Sequence, residues 1–124
     1  MFQIRLADMD SPRKLTQSVL QASQLLGMYQ AELARILHCQ CGDIGELANA
    51  RAQLQPGTCS WHEAEKFIDF FDRLYRLHDG DAVAMHHWLR AENPRLGGVP
   101  LLLMVDELRL DQVLAFLQSP LGSG

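Results

Sequence analysis

The chain has 124 residues, of which 48% are hydrophobic and 21% are charged, as expected of one compact globular protein with its own core. Eleven basic and fifteen acidic residues give a formal net charge of −4, which excludes a uniformly basic nucleic-acid-binding protein. Residues 1–60 carry five basic and five acidic side chains, whereas residues 61–124 carry six and ten. We therefore expect any DNA-facing surface in the first half and a different kind of partner for the second.

Targeting signals are absent from the sequence pattern. No apolar stretch of signal-peptide length follows Met1, and the longest apolar run, residues 99–105, is far shorter than the ~20 residues of a membrane span. Three cysteines are too few for a disulfide scaffold and are typical of a reducing compartment. These features predict a cytoplasmic protein without a membrane segment.

Helical spacing and capping signals dominate the first half. Ser11-Pro12 is an N-cap followed by a proline at the first helical position, and the apolar spacing that follows ends at Gly27. A second helix is predicted over residues 29–38, a tight turn over 39–42 and a third helix over 43–54. A short helix, a short turn and a second helix are typical of a helix-turn-helix motif, although two helices of an ordinary α-bundle have the same spacing.

This motif supplies candidate DNA contacts. Lysine and arginine bind phosphates, and glutamine, asparagine and arginine read base edges. Asp43 and Glu46, near the start of the third helix, oppose DNA, so binding is predicted to be weak or to require a homodimer. The predicted DNA-binding residues are Arg13, Arg35, Gln40, Asn49, Arg51 and Gln53.

The second half is also predicted to be helical. A capping box at Ser60 and Glu63 begins a long amphipathic helix that ends near residues 79–80. Asp81 caps a further helix, residues 93–100 form an ordered loop rich in glycine and proline, and two short helices follow. No segment alternates apolar and polar residues as a strand does, so the predicted fold class is all-α.

The predicted organisation has four parts. Residues 1–58 form a helix-turn-helix domain, 59–80 a connecting helix, 81–118 a small helical domain that binds a partner, and 119–124 a mobile tail. Apolar anchors, two adjacent glycines and prolines at turn positions make the second domain suited to a protein partner.

The string from Trp88 onward carries a family resemblance. It contains Trp88-Leu89, Asn93-Pro94, Leu96-Gly97-Gly98 and Pro100-Leu101, followed by Val113 and Leu117. It resembles the C-terminal toxin-binding domain of Xre/MbcA/ParS-type antitoxins, which carry an Xre-like helix-turn-helix ahead of this domain. The resemblance covers about residues 11–118.

The resemblance implies an antitoxin of a type II toxin-antitoxin system. Such a protein masks a RES-domain toxin, an enzyme that consumes NAD, and represses its own operon by binding operator DNA. The residues expected to contact the toxin are Arg95, Leu96, Gly97, Gly98, Pro100 and Leu101. The chain departs from the family at residues 106–109, where members usually have a small residue, often glycine, and this chain has Leu108 and Arg109.

The sequence leaves one alternative function open. A stand-alone helix-turn-helix regulator, or a protein-interaction module without a cognate toxin, is the alternative. Scattered histidines and the lack of a phosphate loop or nucleophile motif argue against an enzyme, and no cofactor is predicted. Cys39-x-Cys41 and Cys59-x-x-His62 have spacings near those of zinc ligands. The first pair lacks the usual two-residue spacer, so no metal site is predicted.

Overall fold

Seven α-helices make up the computed structural model, which describes residues 11–119, and these residues contain no strand. The predicted all-α fold class is therefore confirmed. Of the predicted mobile tail, residues 120–124 lie outside the described residues. The helices are α1 (Pro12–Leu25), α2 (Gln30–Ile36), α3 (Cys41–Ala48), α4 (Cys59–Leu77), α5 (Ala82–Arg90), α6 (Pro100–Val105) and α7 (Leu110–Gln118).

Helix α4 lies at the centre of the molecule. Its 19 residues include Phe67, Phe70 and Phe71, whose side chains are fully buried, and it packs against α1, α2, α5 and α7. Helix α6 in turn packs against α2, α5 and α7. The buried side chains from α1 to α7 form one continuous hydrophobic core, so the helix predicted as a connection is a core element.

The start of α4 differs from the prediction. The capping box at Ser60 is wrong, because the N-cap lies two residues earlier, at Thr58, which accepts a hydrogen bond from the backbone N–H of Trp61 at 3.1 Å. Ser60 lies inside the first turn and donates its hydroxyl to the carbonyl oxygen of Leu37 at 2.7 Å. This hydrogen bond ties the start of α4 to the end of α2.

Helix α3 ends at Ala48, six residues before the predicted end. Ala50 adopts a left-handed φ of 59°, its N–H donates to the Leu47 carbonyl, and the N–H of Arg51 donates to the Glu46 carbonyl, a pair of bonds that closes a helix. The chain then returns to α1, where the buried Leu54 donates its N–H to Thr16 Oγ1 at 2.9 Å. Residues 49–54 thus form an ordered loop.

The helices are also too short or too polar for a bilayer. Within residues 11–119, none is long and apolar enough to cross a membrane.

Candidate partner-binding site

The loop between α5 and α6 is organised by Asn93. Asn93 and Gly98 form an isolated antiparallel bridge, in which the N–H of Asn93 donates to the Gly98 carbonyl at 2.8 Å. The side-chain oxygen of Asn93 accepts a hydrogen bond from the backbone N–H of Arg95 at 3.1 Å. The backbone carbonyl of Asn93 accepts from the N–H groups of Leu96 and Gly97. Gly97 has a φ of 83°, a conformation that favours glycine. The Asn and Gly of the sequence string are therefore what close this loop.

The loop is fixed to the core by side chains that were expected to contact a partner. Leu96, Pro100 and Leu101 are buried within the chain itself, and Gln112 of α7 donates to the Leu96 carbonyl at 3.3 Å. These three residues shape the loop from inside.

The remaining predicted partner residues reach the surface. Arg95 and Gly97 are exposed, and Gly98 is half-buried. Sequence reasoning missed Leu102, which is 49% exposed on α6. No sequence signal distinguishes it from the apolar residues around it, which are buried. We call the exposed Arg95 and Gly97 of the loop, together with the exposed Leu102 of α6, the loop site.

A cleft of about 310 Å³ lies beside this loop. His78, His87 and Trp88 line it together with Asn93 and Pro94 of the loop. The Trp88 ring also packs on Phe70 of α4, with centroids 6.4 Å apart. An apolar wall with histidines and a rigid loop at its rim can accept a side chain or a short segment of a partner protein.

The predicted DNA-binding residues have a different setting. Gln40 directly precedes α3, and Asn49 caps its C-terminus by donating to the Gly45 carbonyl at 2.9 Å. Because α3 is shorter than predicted, Arg51 and Gln53 lie in the loop after it. Arg13 is exposed in the first turn of α1.

Helix α3 itself offers little to a phosphate backbone. Its eight residues include Asp43 and Glu46, both exposed, and no lysine or arginine. Asp43 accepts the backbone N–H of Gln40 at 2.9 Å, and Arg51 lies 4.0 Å from Glu46. Asp43 is therefore a capping residue of α3.

Arg35 is engaged within the chain. Its Nε donates to the Val105 carbonyl at 2.7 Å, and its Nη2 donates to the Asp106 carbonyl at 3.4 Å. These carbonyls belong to the C-terminus of α6, where a cation is favourable. The prediction placed Arg35 on a phosphate, whereas the structure shows its guanidinium binding the end of α6.

The cysteines are not arranged as the zinc alternative required. Among residues 11–119, no three of Cys39, Cys41, Cys59 and His62 bring ligand atoms together. Burial, with smaller effects from Asp43 and Cys41, raises the pKa of the Cys39 thiol to about 11. That thiol is protonated near neutral pH.

An all-helical core that presents a rigid loop beside a partly apolar cleft is an arrangement suited to binding a protein partner. Residues 73–119 match the family model described as the antitoxin Xre/MbcA/ParS C-terminal toxin-binding domain. These residues run from Arg73 in α4 to the end of α7, and the match confirms the resemblance of this part of the chain to that family's toxin-binding domain. A comparison with curated protein sequences finds no match.

The departure at Leu108 has a structural consequence. Leu108 has a φ of 55° and is 48% exposed, so the turn at residues 106–109 has a left-handed backbone at a leucine, where the resemblance leads us to expect a small residue. We expect Leu108→Gly to raise the free energy of unfolding by about 1 kcal/mol, because glycine relieves the left-handed strain. Urea unfolding measures the change. Leu108→Ala keeps the strain and is the control; a Leu108→Gly variant no more stable than Leu108→Ala would refute this reading.

Proposed function

We propose that the chain is the antitoxin of a type II toxin-antitoxin pair whose toxin is a NAD-consuming RES-domain enzyme. The observation that carries the proposal is the match of residues 73–119 to an antitoxin toxin-binding domain. That match supports an antitoxin role and a toxin partner; the RES type follows from the family resemblance. The mechanism is steric, since the C-terminal domain covers the substrate cleft of the toxin.

The loop site is the part of this domain that we assign to toxin contact. Arg95 and Gly97 stand on a loop held by the hydrogen bonds of Asn93, so little conformational entropy is lost when a partner binds. Leu102 adds exposed apolar surface on α6, the helix that follows this loop. Rigid backbone, one cation and one apolar side chain are the ingredients of a specific protein interface.

Co-expression with the product of the adjacent reading frame tests the proposal. Alone, that product is expected to stop growth and lower cellular NAD; together with this chain it is expected to co-purify and be neutralised. Arg95→Glu should weaken the complex at least tenfold, about 1.4 kcal/mol, whereas Arg13→Glu, an exposed arginine on α1, should not. A toxic partner that leaves NAD unchanged would remove only the RES assignment, and a partner that is neither toxic nor co-purified would remove the antitoxin role.

We further propose that residues 1–58 act as a helix-turn-helix domain through which a homodimer binds operator DNA and represses the operon. The two short helices α2 and α3, joined by four residues, support this proposal. Arg13, Gln40, Asn49, Arg51 and Gln53 remain the proposed DNA contacts. Few phosphate contacts are available to one chain, so a dimer is needed.

The acidic surface of α3 favours a second candidate function. Asp43 and Glu46, without a basic residue on the helix, suit a protein-interaction module that does not read DNA. The salt dependence of binding to a DNA fragment that carries the operon's promoter distinguishes a DNA-binding domain from a protein-interaction module. Phosphate contacts make the affinity for this promoter fragment fall steeply with salt. If no binding to the promoter fragment were detected even at low salt, the protein-interaction module would be favoured.

A further inference from the structure

Three side chains with metal-ligating atoms meet where α2 ends and α4 begins. The ligand atoms of His38, Cys59 and Glu63 all lie within 4.8 Å of one another. His38 Nε2 lies 3.9 Å from Glu63 Oε1. The ligand atoms of a tetrahedral zinc site lie about 3.3–3.8 Å apart. Side-chain rotations that move the ligand atoms by about 1 Å would therefore bring all three to these distances.

The fold holds the backbones of this cluster in place. Cys59 and Glu63 are four residues apart on α4 and so lie on the same face. His38 follows α2 with a left-handed φ of 59°, and the N–H of Cys39 donates to the Ala34 carbonyl at 2.9 Å. The bond from Ser60 to the Leu37 carbonyl then fixes His38 against α4.

We propose that His38, Cys59 and Glu63 form a site for a divalent transition metal ion of the zinc type. An imidazole nitrogen, a thiolate sulfur and a carboxylate oxygen are the donors that such ions take in proteins. Three protein ligands leave the fourth position to water or to a donor of a partner. The ion would join the end of α2 to the start of α4.

The ammonium group of Lys66, which lies beside Glu63, does not block the proposed metal site. Lys66 Nζ lies 3.2 Å from Glu63 Oε1, but it is also 2.9 Å from Asp111 Oδ1 of α7. Asp111 can therefore hold the ammonium group while Glu63 turns to the metal. The Glu63 side chain is only 15% exposed, so its carboxylate is kept near His38 instead of extending into solvent.

Cobalt titration of the untagged, reduced full chain tests the site. We expect 1:1 binding with a thiolate-to-cobalt charge-transfer absorption, reversed by zinc. Cys59→Ser should abolish the absorption, and Glu63→Gln and His38→Gly should weaken binding at least tenfold, since loss of even an outer partner of a metal ligand costs 10–100-fold. His38→Gly suits the left-handed backbone, so its weaker binding does not come from misfolding.

Two variants serve as matched controls. Cys41→Ser and His62→Gln remove exposed ligand types outside the cluster and should leave cobalt affinity unchanged. Zinc should also raise the thermal midpoint of the unmodified chain, because it binds only the folded state, and should not do so for Cys59→Ser. An absorption that survives Cys59→Ser, one that is lost in Cys41→Ser, or cobalt binding weaker than millimolar would overturn the proposal.

Discussion

Replacing Phe70 by alanine is expected to lower the free energy of unfolding by about 3–5 kcal/mol. Phe70 is fully buried on α4, with its ring centroid 6.0 Å from that of Phe67 and 6.4 Å from that of Trp88. It therefore links the central helix to α5 and to the wall of the cleft beside the loop site. The cavity left by the ring would remove packing contacts of both α4 and α5.

Urea unfolding followed by circular dichroism and by tryptophan fluorescence measures the effect. Because one core runs from α1 to α7, the two signals should coincide for the unmodified chain and move together for Phe70→Ala. Val83→Ala, at a side chain that is 78% exposed, should stay within about 0.5 kcal/mol. Two separate transitions, only one of them shifted, would instead show that the proposed helix-turn-helix and toxin-binding regions are independently stable.

Local signals explain why most helix boundaries could be predicted. Pro12 and Pro100 stand at first helical positions, and Ser11 accepts the N–H of Lys14 at 3.1 Å as an N-cap does. Such signals depend on neighbouring residues alone. The end of α3 had no such signal, because Ala50 takes a left-handed conformation for which glycine or asparagine is usual.

The site was predictable in outline and not in detail. Asn93 and Gly97 carry turn chemistry that a sequence reveals, and both close the loop as that chemistry requires. Which loop residues point outward depends on how α6 and α7 pack, and this placed Leu96 inside and left Leu102 exposed. Periodicity within one short helix does not contain that information.

Arg35 shows the same limit and leads to a second large effect. We expect Arg35→Ala to lower the free energy of unfolding by about 2 kcal/mol, since its guanidinium makes charged hydrogen bonds to the Val105 and Asp106 carbonyls. Arg35→Lys should recover less than half of the loss, because an ammonium cannot reproduce the planar donor pair. Arg35 is itself exposed, so the loss is expected from its two hydrogen bonds and not from burial. Arg13→Ala, at an exposed arginine of α1, should change stability by less than about 0.5 kcal/mol.

Binding to the promoter fragment separates this structural role of Arg35 from a phosphate contact. A residue that caps α6 should leave the salt dependence of DNA affinity unchanged when replaced by alanine. A phosphate contact behaves in the opposite way: alanine reduces the salt slope by about 1, and lysine restores it. If Arg35→Ala were as stable as the unmodified chain but had the shallower slope, the contact with α6 would be dispensable and the guanidinium would belong to the DNA surface. The expected result, lost stability with an unchanged slope, would assign Arg35 to the junction between α2 and α6, through which the proposed DNA-binding region touches the toxin-binding domain.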